Sequence, residues 1–120
     1  MAVTLLIVDD HPGFRFFARA LLEAQGYLVV GEAGDGASAL AGVAIHDPDV
    51  VLLDVALPDI DGFAVCEALT LRDAGRPLVV LTSSHDASGF RQRLAASAAR
   101  GFIAKSDLSG AALDALRGAP

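Results

Sequence analysis

Val50-Val51-Leu52-Leu53-Asp54 is an unbroken apolar run that stops at an acid. A strand with this pattern is buried on both faces, because a half-exposed one would alternate apolar with polar residues. Three other segments repeat the arrangement. Leu5-Leu6-Ile7-Val8 runs into Asp9-Asp10, Leu78-Val79-Val80-Leu81 into Thr82-Ser83-Ser84, and Gly101-Phe102-Ile103-Ala104 into Lys105. Parallel strands would bring these polar ends to one edge of a sheet, where open α/β sheets hold their ligands. Three carboxylates, a hydroxyl and an ammonium in one cavity suit a cation and a phosphoryl group.

Between the strands the apolar spacing turns helical. Pro12 opens a helix where its missing N–H does no harm. Phe14, Phe17, Ala18, Leu21 and Leu22 then follow the spacing of one buried stripe. Phe14 and Phe17 are expected in the core, and Gly26 as a left-handed cap. Tyr27 to Val30 reads as a second strand, and Asp35 as the N-cap of a helix over 37–45 that Pro48 ends. The loop Pro58-Asp59-Ile60-Asp61-Gly62 leads into a helix over 63–72, and Gly75 and Pro77 punctuate before the fourth strand. A fourth helix over 87–98 puts Phe90, Leu94, Ala95 and Ala98 on one stripe. A closing helix covers 108–117, stopped by Gly118 and Pro120. This alternation of strands and helices demands an α/β fold with a parallel sheet and right-handed crossovers.

The chain has 120 residues, 53% hydrophobic and 20% charged. That is one globular domain, 1–120, able to bury roughly two-thirds of its unfolded surface. A net charge of −6 argues against direct nucleic-acid binding, which needs clustered Lys and Arg. The single cysteine, Cys66, excludes an intramolecular disulfide and a Cys-based zinc site, and is expected as a small buried hydrophobe. No stretch approaches the ~20 apolar residues of a membrane span, and the opening residues lack a signal-peptide pattern. The cytoplasm is the expected compartment, without membrane association.

Asp9, Asp10 and Asp54 carry the strongest chemical signal. Mg²⁺ is a hard ion, commonly held by one or two carboxylates together with phosphate oxygens and water; Mn²⁺ accepts the same donors. Crowded carboxylates repel, and a divalent ion relieves that repulsion. The plainer alternative makes each acid a cap or turn residue, which explains one such residue better than three. Phosphoryl transfer is mainly positioning and neutralisation of oxygen charge. Lys105 can supply a fixed positive charge, Thr82 a hydroxyl, and Asp54, central in the order, a carboxylate nucleophile. No glycine-rich loop supports a nucleotide. His11, His46 and His85 lack a partner at helical ligand spacing and are expected at the surface or as caps. Asp59 and Asp61 could extend the acidic cluster, with Asp61 better read as a loop residue and cap.

Taken together, Asp9-Asp10, Asp54 followed by Leu57-Pro58-x-x-Asp61-Gly62, Thr82 and Gly101-Phe102-x-x-Lys105 resemble a response-regulator receiver domain of the CheY-like superfamily. The resemblance covers essentially the whole chain. It implies a three-layer (βα)5 flavodoxin-like, doubly wound fold with strand order 2-1-3-4-5. It implies that Asp54 takes a phosphoryl group from a histidine kinase or a phosphotransfer protein. Asp10 and Asp54 would ligate Mg²⁺, Asp9 would hold a coordinated water, and the Ala56 backbone carbonyl would complete the protein ligands. Lys105 and Thr82 would bind the phosphoryl oxygens, and Phe102 would change rotamer in response. Pairing of two copies through helix 4, strand 5 and helix 5 is a further implication.

Asp10-His11-Pro12-Gly13-Phe14-Arg15 and Lys105-Ser106-Asp107-Leu108 are similar to NarL/FixJ-type receivers, which usually precede a helix-turn-helix domain. A stand-alone receiver and a piece of a longer regulator both stay open. Ala56 and Ser84 stand where the family tunes phosphoryl lifetime. On this reading the chain is a phosphoacceptor switch and not an enzyme. Two other classes compete: a Mg²⁺-dependent phosphohydrolase working through an aspartyl phosphate, which would need a substrate cap, and a receiver-like adaptor indifferent to phosphate.

Overall fold

The computed structural model describes residues 2–72 and 76–118. Strands β1 (Thr4–Val8), β2 (Leu28–Ala33), β3 (Val50–Asp54), β4 (Leu78–Ser83) and β5 (Gly101–Ala104) form one sheet. Every neighbouring pair is parallel, and the order is β2-β1-β3-β4-β5. The helices are α1 (Pro12–Ala24), α2 (Gly36–His46), α3 (Gly62–Arg72), α4 (Arg91–Ala96) and α5 (Gly110–Arg117). The flavodoxin-like fold implied by the resemblance is the one observed.

The continuous apolar runs become central strands because each of their faces meets a helical layer. Leu6, Val8, Val51, Leu53 and Leu81 face one core, shared with Ala39 and Val43 of α2 and Val65, Cys66 and Leu69 of α3. Leu5, Ile7, Leu52 and Val80 face the other, shared with Ala18 and Leu22 of α1 and Leu113 of α5. All five residues of β3 are buried, which places Asp54 at the end of the best-protected strand.

Several boundaries differ from the expected ones. β2 starts at Leu28 and continues through Gly31-Glu32-Ala33, pairing with Leu6 to Val8 beyond a register shift at Leu5/Leu6. As the edge strand it accommodates the polar Glu32. The expected fourth helix is broken into a 3₁₀ turn, Ala87–Phe90, and a short α4. Ala95 and Ala98 are exposed; Phe90, Leu94 and Ala99 alone reach the core from this segment. α5 begins at Gly110, capped by the Ser109 side chain, which accepts from Ala112 N at 3.0 Å. Phe17 is corrected too: it is 53% exposed, while Phe14 packs against the core. The stripe of α1 is narrower than its spacing suggests, with Ala18 and Leu22 its fully buried members. Gly75 and Pro120 lie outside the described residues.

The glycine and Asp caps behave as read. Gly26 has φ +99 and Gly118 φ +69, the left-handed geometry that glycine adopts at least cost. Asp35 accepts from Ser38 N at 2.7 Å at the start of α2.

Candidate functional site

The site forms where β1, β3, β4 and β5 end. Asp54 closes β3 in register opposite Thr82 of β4, and Lys105 follows β5 directly. Asp9 extends the β1 ladder by one bond, its N–H donating to Ala33 O at 3.0 Å. Chain direction alone thus assembles residues nearly a hundred positions apart.

Asp9 and Asp54 are buried, whereas Asp10 is exposed. Lys105 reaches between the buried pair: its Nζ is 2.5 Å from Asp9 Oδ2 and 3.3 Å from Asp54 Oδ2. The same ammonium lies 4.5 Å from the centre of the Phe14 ring. Asp54 Oδ1 accepts from the backbone N–H of Ala56 at 3.0 Å. His11 contributes twice to Asp9 Oδ1, through its backbone N–H at 2.8 Å and Nδ1 at 3.0 Å, and Nδ1 lies 3.1 Å from Asp10 Oδ1. One ligand atom from each of Asp9, Asp10, His11 and Asp54 falls within 4.8 Å of the others.

The two buried carboxylates titrate in opposite directions. Burial pushes Asp54 up, and the neighbouring Asp9 charge adds to this, against the Ala56 N–H and Lys105. Burial also acts on Asp9, but there the Lys105 and His11 hydrogen bonds win and hold it below the ordinary range. Lys105 loses some basicity to burial and more than regains it from the two acids, so its pKa is raised. The pocket therefore holds crowded negative charge that one ammonium does not fully neutralise. An oxygen-rich donor set with unrelieved repulsion fits a hard divalent cation. His11 Nδ1, an imidazole nitrogen, fits such an ion less well and serves better as an orienting partner of the two acids.

Thr82 is buried, and its Oγ1 has no hydrogen-bond partner among the described residues. Buried hydroxyls are nearly always partnered, so this unpaired donor, in register opposite Asp54, is an exception. A cavity of ≈ 460 Å³ opens over Asp54, bounded by Ala56, Ser83, Ser84, His85 and Arg93. Phe102 stands one strand away, its ring 6.1 Å from Phe90, which lies 6.1 Å from Phe63.

Asp9, Asp10, Asp54 and Lys105 are thus brought together, with Thr82 beside them and Ala56 at the rim. Asp59 and Asp61 are not part of the cluster. Asp59 accepts from Gly36 N at 2.7 Å and Ala37 N at 3.0 Å, capping α2 from another loop. Asp61 accepts from Phe63 N at 2.7 Å at the start of α3 and pairs with Arg93 at 2.7 Å. His46 packs its ring over Gly31, and His85 is exposed. His11 is exposed and stands at the N-cap of α1, as expected, and spacing rules overlooked only its bonds to Asp9. Its signal was adjacency: a residue two after Asp9 can return its N–H to that carboxylate in a tight turn. Cys66 is buried as expected, and burial pushes its thiol up to about 11.

A family model for the response regulator receiver domain matches residues 5–116. A protein named as a transcriptional regulator of Pseudomonas aeruginosa is 40% identical over 84% of this chain and 48% of its own. BvgA of Bordetella pertussis, named as a positive transcription regulator of virulence factors, is 38% identical over 84% of this chain and 48% of its own. The chain thus spans about half the length of these curated relatives. The solved signal receiver domain of NarL from Mycobacterium tuberculosis superposes with a TM-score of 0.79 at 40% identity, covering 98% of each chain. Among the described residues, no helix is long and apolar enough to cross a membrane.

Proposed function

From the premise that this chain belongs to the response regulator receiver domains of two-component signalling, we propose that residues 1–120 form one such domain and that Asp54 is its phosphoacceptor. The observation that carries the reading is the Asp54 carboxylate, buried at the end of β3 between Lys105 and the Ala56 N–H and facing a cavity open to a donor. In the transfer, an Asp54 oxygen forms the new P–O bond as the P–N bond of a donor phosphohistidine breaks. The electron pair leaves with the imidazole nitrogen, which then takes up a proton. Asp10 and Asp54 side chains and the Ala56 carbonyl would hold Mg²⁺, or Mn²⁺ in its place, with Asp9 acting through a water. Bound there, the ion would supply positive charge to oxygens on which negative charge builds.

The protein's own groups then read the change. An aspartyl phosphate adds nearly two negative charges and three acceptor oxygens. Lys105 is already within reach, and the unpartnered Thr82 hydroxyl gains an acceptor. Each charge-assisted hydrogen bond contributes ~1.5–3 kcal/mol, while a swing from 1:99 to 99:1 takes ~5.5 kcal/mol. Two such contacts give a large, incomplete shift. Phe102, with no hydroxyl, can turn inward without stranding a polar group. The function is a stoichiometric switch, one phosphate per chain, and not turnover of a small substrate. The partners are a histidine kinase or phosphotransfer protein in the cytoplasm and, through the α4-β5-α5 face, an output domain or a second copy.

The test uses a small phosphodonor with Mg²⁺ and mass spectrometry of the intact chain. The wild type is expected to gain one phosphoryl group, and both Asp54→Asn and removal of Mg²⁺ by chelation to prevent it. Stoichiometric phosphate on another residue of the variant would take the role from Asp54.

A further inference from the structure

We propose that Arg15 is a positioning residue for the Asp10 carboxylate and so sets how tightly the acidic pocket takes a divalent cation; this rests on the Mg²⁺ reading above. The Arg15 guanidinium, on α1, donates from Nη1 to the main-chain carbonyl of Asp9 at 2.5 Å and from Nε to Glu32 Oε1 at 3.1 Å. Glu32 is itself anchored on β2. Its second oxygen accepts from Arg19 Nη1 at 2.9 Å, and Arg19 also donates to Val29 O at 3.3 Å. Gly34 lies beside this guanidinium, where a Cβ would meet Arg15 Nη1 at 3.4 Å, an ordinary contact. The guanidinium is therefore a fixed strut between the edge strand and the turn that carries the acids.

The carbonyl it grips belongs to the peptide joining Asp9 to Asp10. Tilting that peptide moves the Asp10 side chain. The other two acids do not depend on it in this way. Asp9 is held through its carboxylate by His11 and Lys105, and Asp54 by Ala56 and Lys105. Asp10 has one side-chain contact in the cluster, His11 Nδ1 at 3.1 Å, from a ring that is itself 69% exposed. Its place is set by backbone, and the side chain bound to that backbone is Arg15.

Charge and position give opposite signs, which makes the proposal testable. Removing a cation beside a cation site should tighten metal binding if charge alone counts. Losing the strut should weaken it, and partners that orient metal ligands typically matter by 10–100-fold in affinity. Lys in place of Arg keeps the charge but cannot fork between the Asp9 carbonyl and Glu32.

The experiment titrates MgCl₂ into the chain and follows ¹H–¹⁵N correlation spectra of wild type, Arg15→Gln, Arg15→Lys, Glu32→Gln and the Arg15→Gln/Glu32→Gln double variant. R15Q is expected to weaken Mg²⁺ about 10-fold, with R15K in between. In metal-free R15Q the Asp10 amide nitrogen should shift more than its neighbours, because it shares the peptide whose carbonyl loses its donor. The double variant should bind no more weakly than R15Q, since both changes remove one strut; independent charges would instead add with opposite signs. If R15Q does not fold, R15K carries the comparison, because it keeps the charge and loses the fork. Wild-type binding with unchanged or tighter binding in R15Q overturns the role of Arg15 alone. No saturable Mg²⁺ shift in the wild type overturns the metal reading, and this inference with it.

Discussion

The two sides of the sheet are built to different standards. Around β1 and β3, helices α1, α2 and α3 run for 13, 11 and 11 residues, and the strands are buried almost throughout. Around β5, α4 has six residues, none of them buried, and Ile103 is the single buried residue of the strand. The first side carries all three acids. The second carries Lys105 and Phe102, with Thr82 at the join. On the function proposed above, the phosphoacceptor carboxylate would sit on the firm side and the readout where little packing has to be undone, at the low end of the local-stability range.

The contrast is broken most directly by truncating one leucine on each side. Leu52→Ala, in the fully buried centre, is expected to cost about 3 kcal/mol. Leu94→Ala, at the one half-buried position of α4, should cost about 1 kcal/mol or less, because less apolar area leaves water. Denaturant titration of both variants gives the comparison; equal losses would mean the two sides are equally packed.

Asp54→Asn sharpens it at the site. The raised Asp54 pKa means that its ionisation opposes folding. That cost is fully present above the raised value and is relieved as pH falls through it towards the unfolded value. Asp9 has the opposite sign: its lowered pKa contributes stability above its unfolded value, lost as pH falls through the lowered one. Lys105 keeps Asp9 as a partner in the variant. Metal-free Asp54→Asn is therefore expected to be more stable at neutral pH, with a higher Tm, and its advantage to shrink in acid. Thermal scans across pH would contradict this if the variant were less stable, or if its advantage grew at low pH.

The smallest effect is expected at the strap between the sides. Arg93 of α4 pairs with Asp61 at 2.7 Å and sits 4.3 Å from the Phe63 ring centre. Both charges are substantially exposed, so Arg93→Ala should change global stability by under about 0.5 kcal/mol. Hydrogen exchange on α4 should nevertheless quicken by about three-fold, the equivalent of a lost exposed cation–π contact. Unchanged exchange would mean the strap does not hold the helix.

These differences explain what sequence revealed and what it hid. Double-sided burial writes itself as uninterrupted apolar runs, so β1, β3 and β4 and the acids at the ends of the first two were legible. The edge strand was not fully legible: Glu32 breaks the apolar pattern, yet its arginine partners allow the strand to continue. α4 was overextended because alanine counts as apolar in a stripe while contributing little surface to bury; Phe90 and Leu94 are too few to hold three turns. Phe17 misled for a related reason, since helical spacing gives a direction but not the width of the groove that receives it. His11 and Arg15 were hidden differently. Their importance lies in bonds to main-chain and carboxylate groups of the Asp9-Asp10 turn, which no periodicity encodes.

Cys66 provides a clock for the firmer side. The thiol is the chain's only one, it is wholly sheltered inside α3, and the thiolate is disfavoured until about pH 11. An alkylating reagent in neutral buffer can therefore modify only those molecules in which α3 has come away from the sheet. The rate of labelling reports the population of such excursions where reclosing outpaces labelling, with no residue changed.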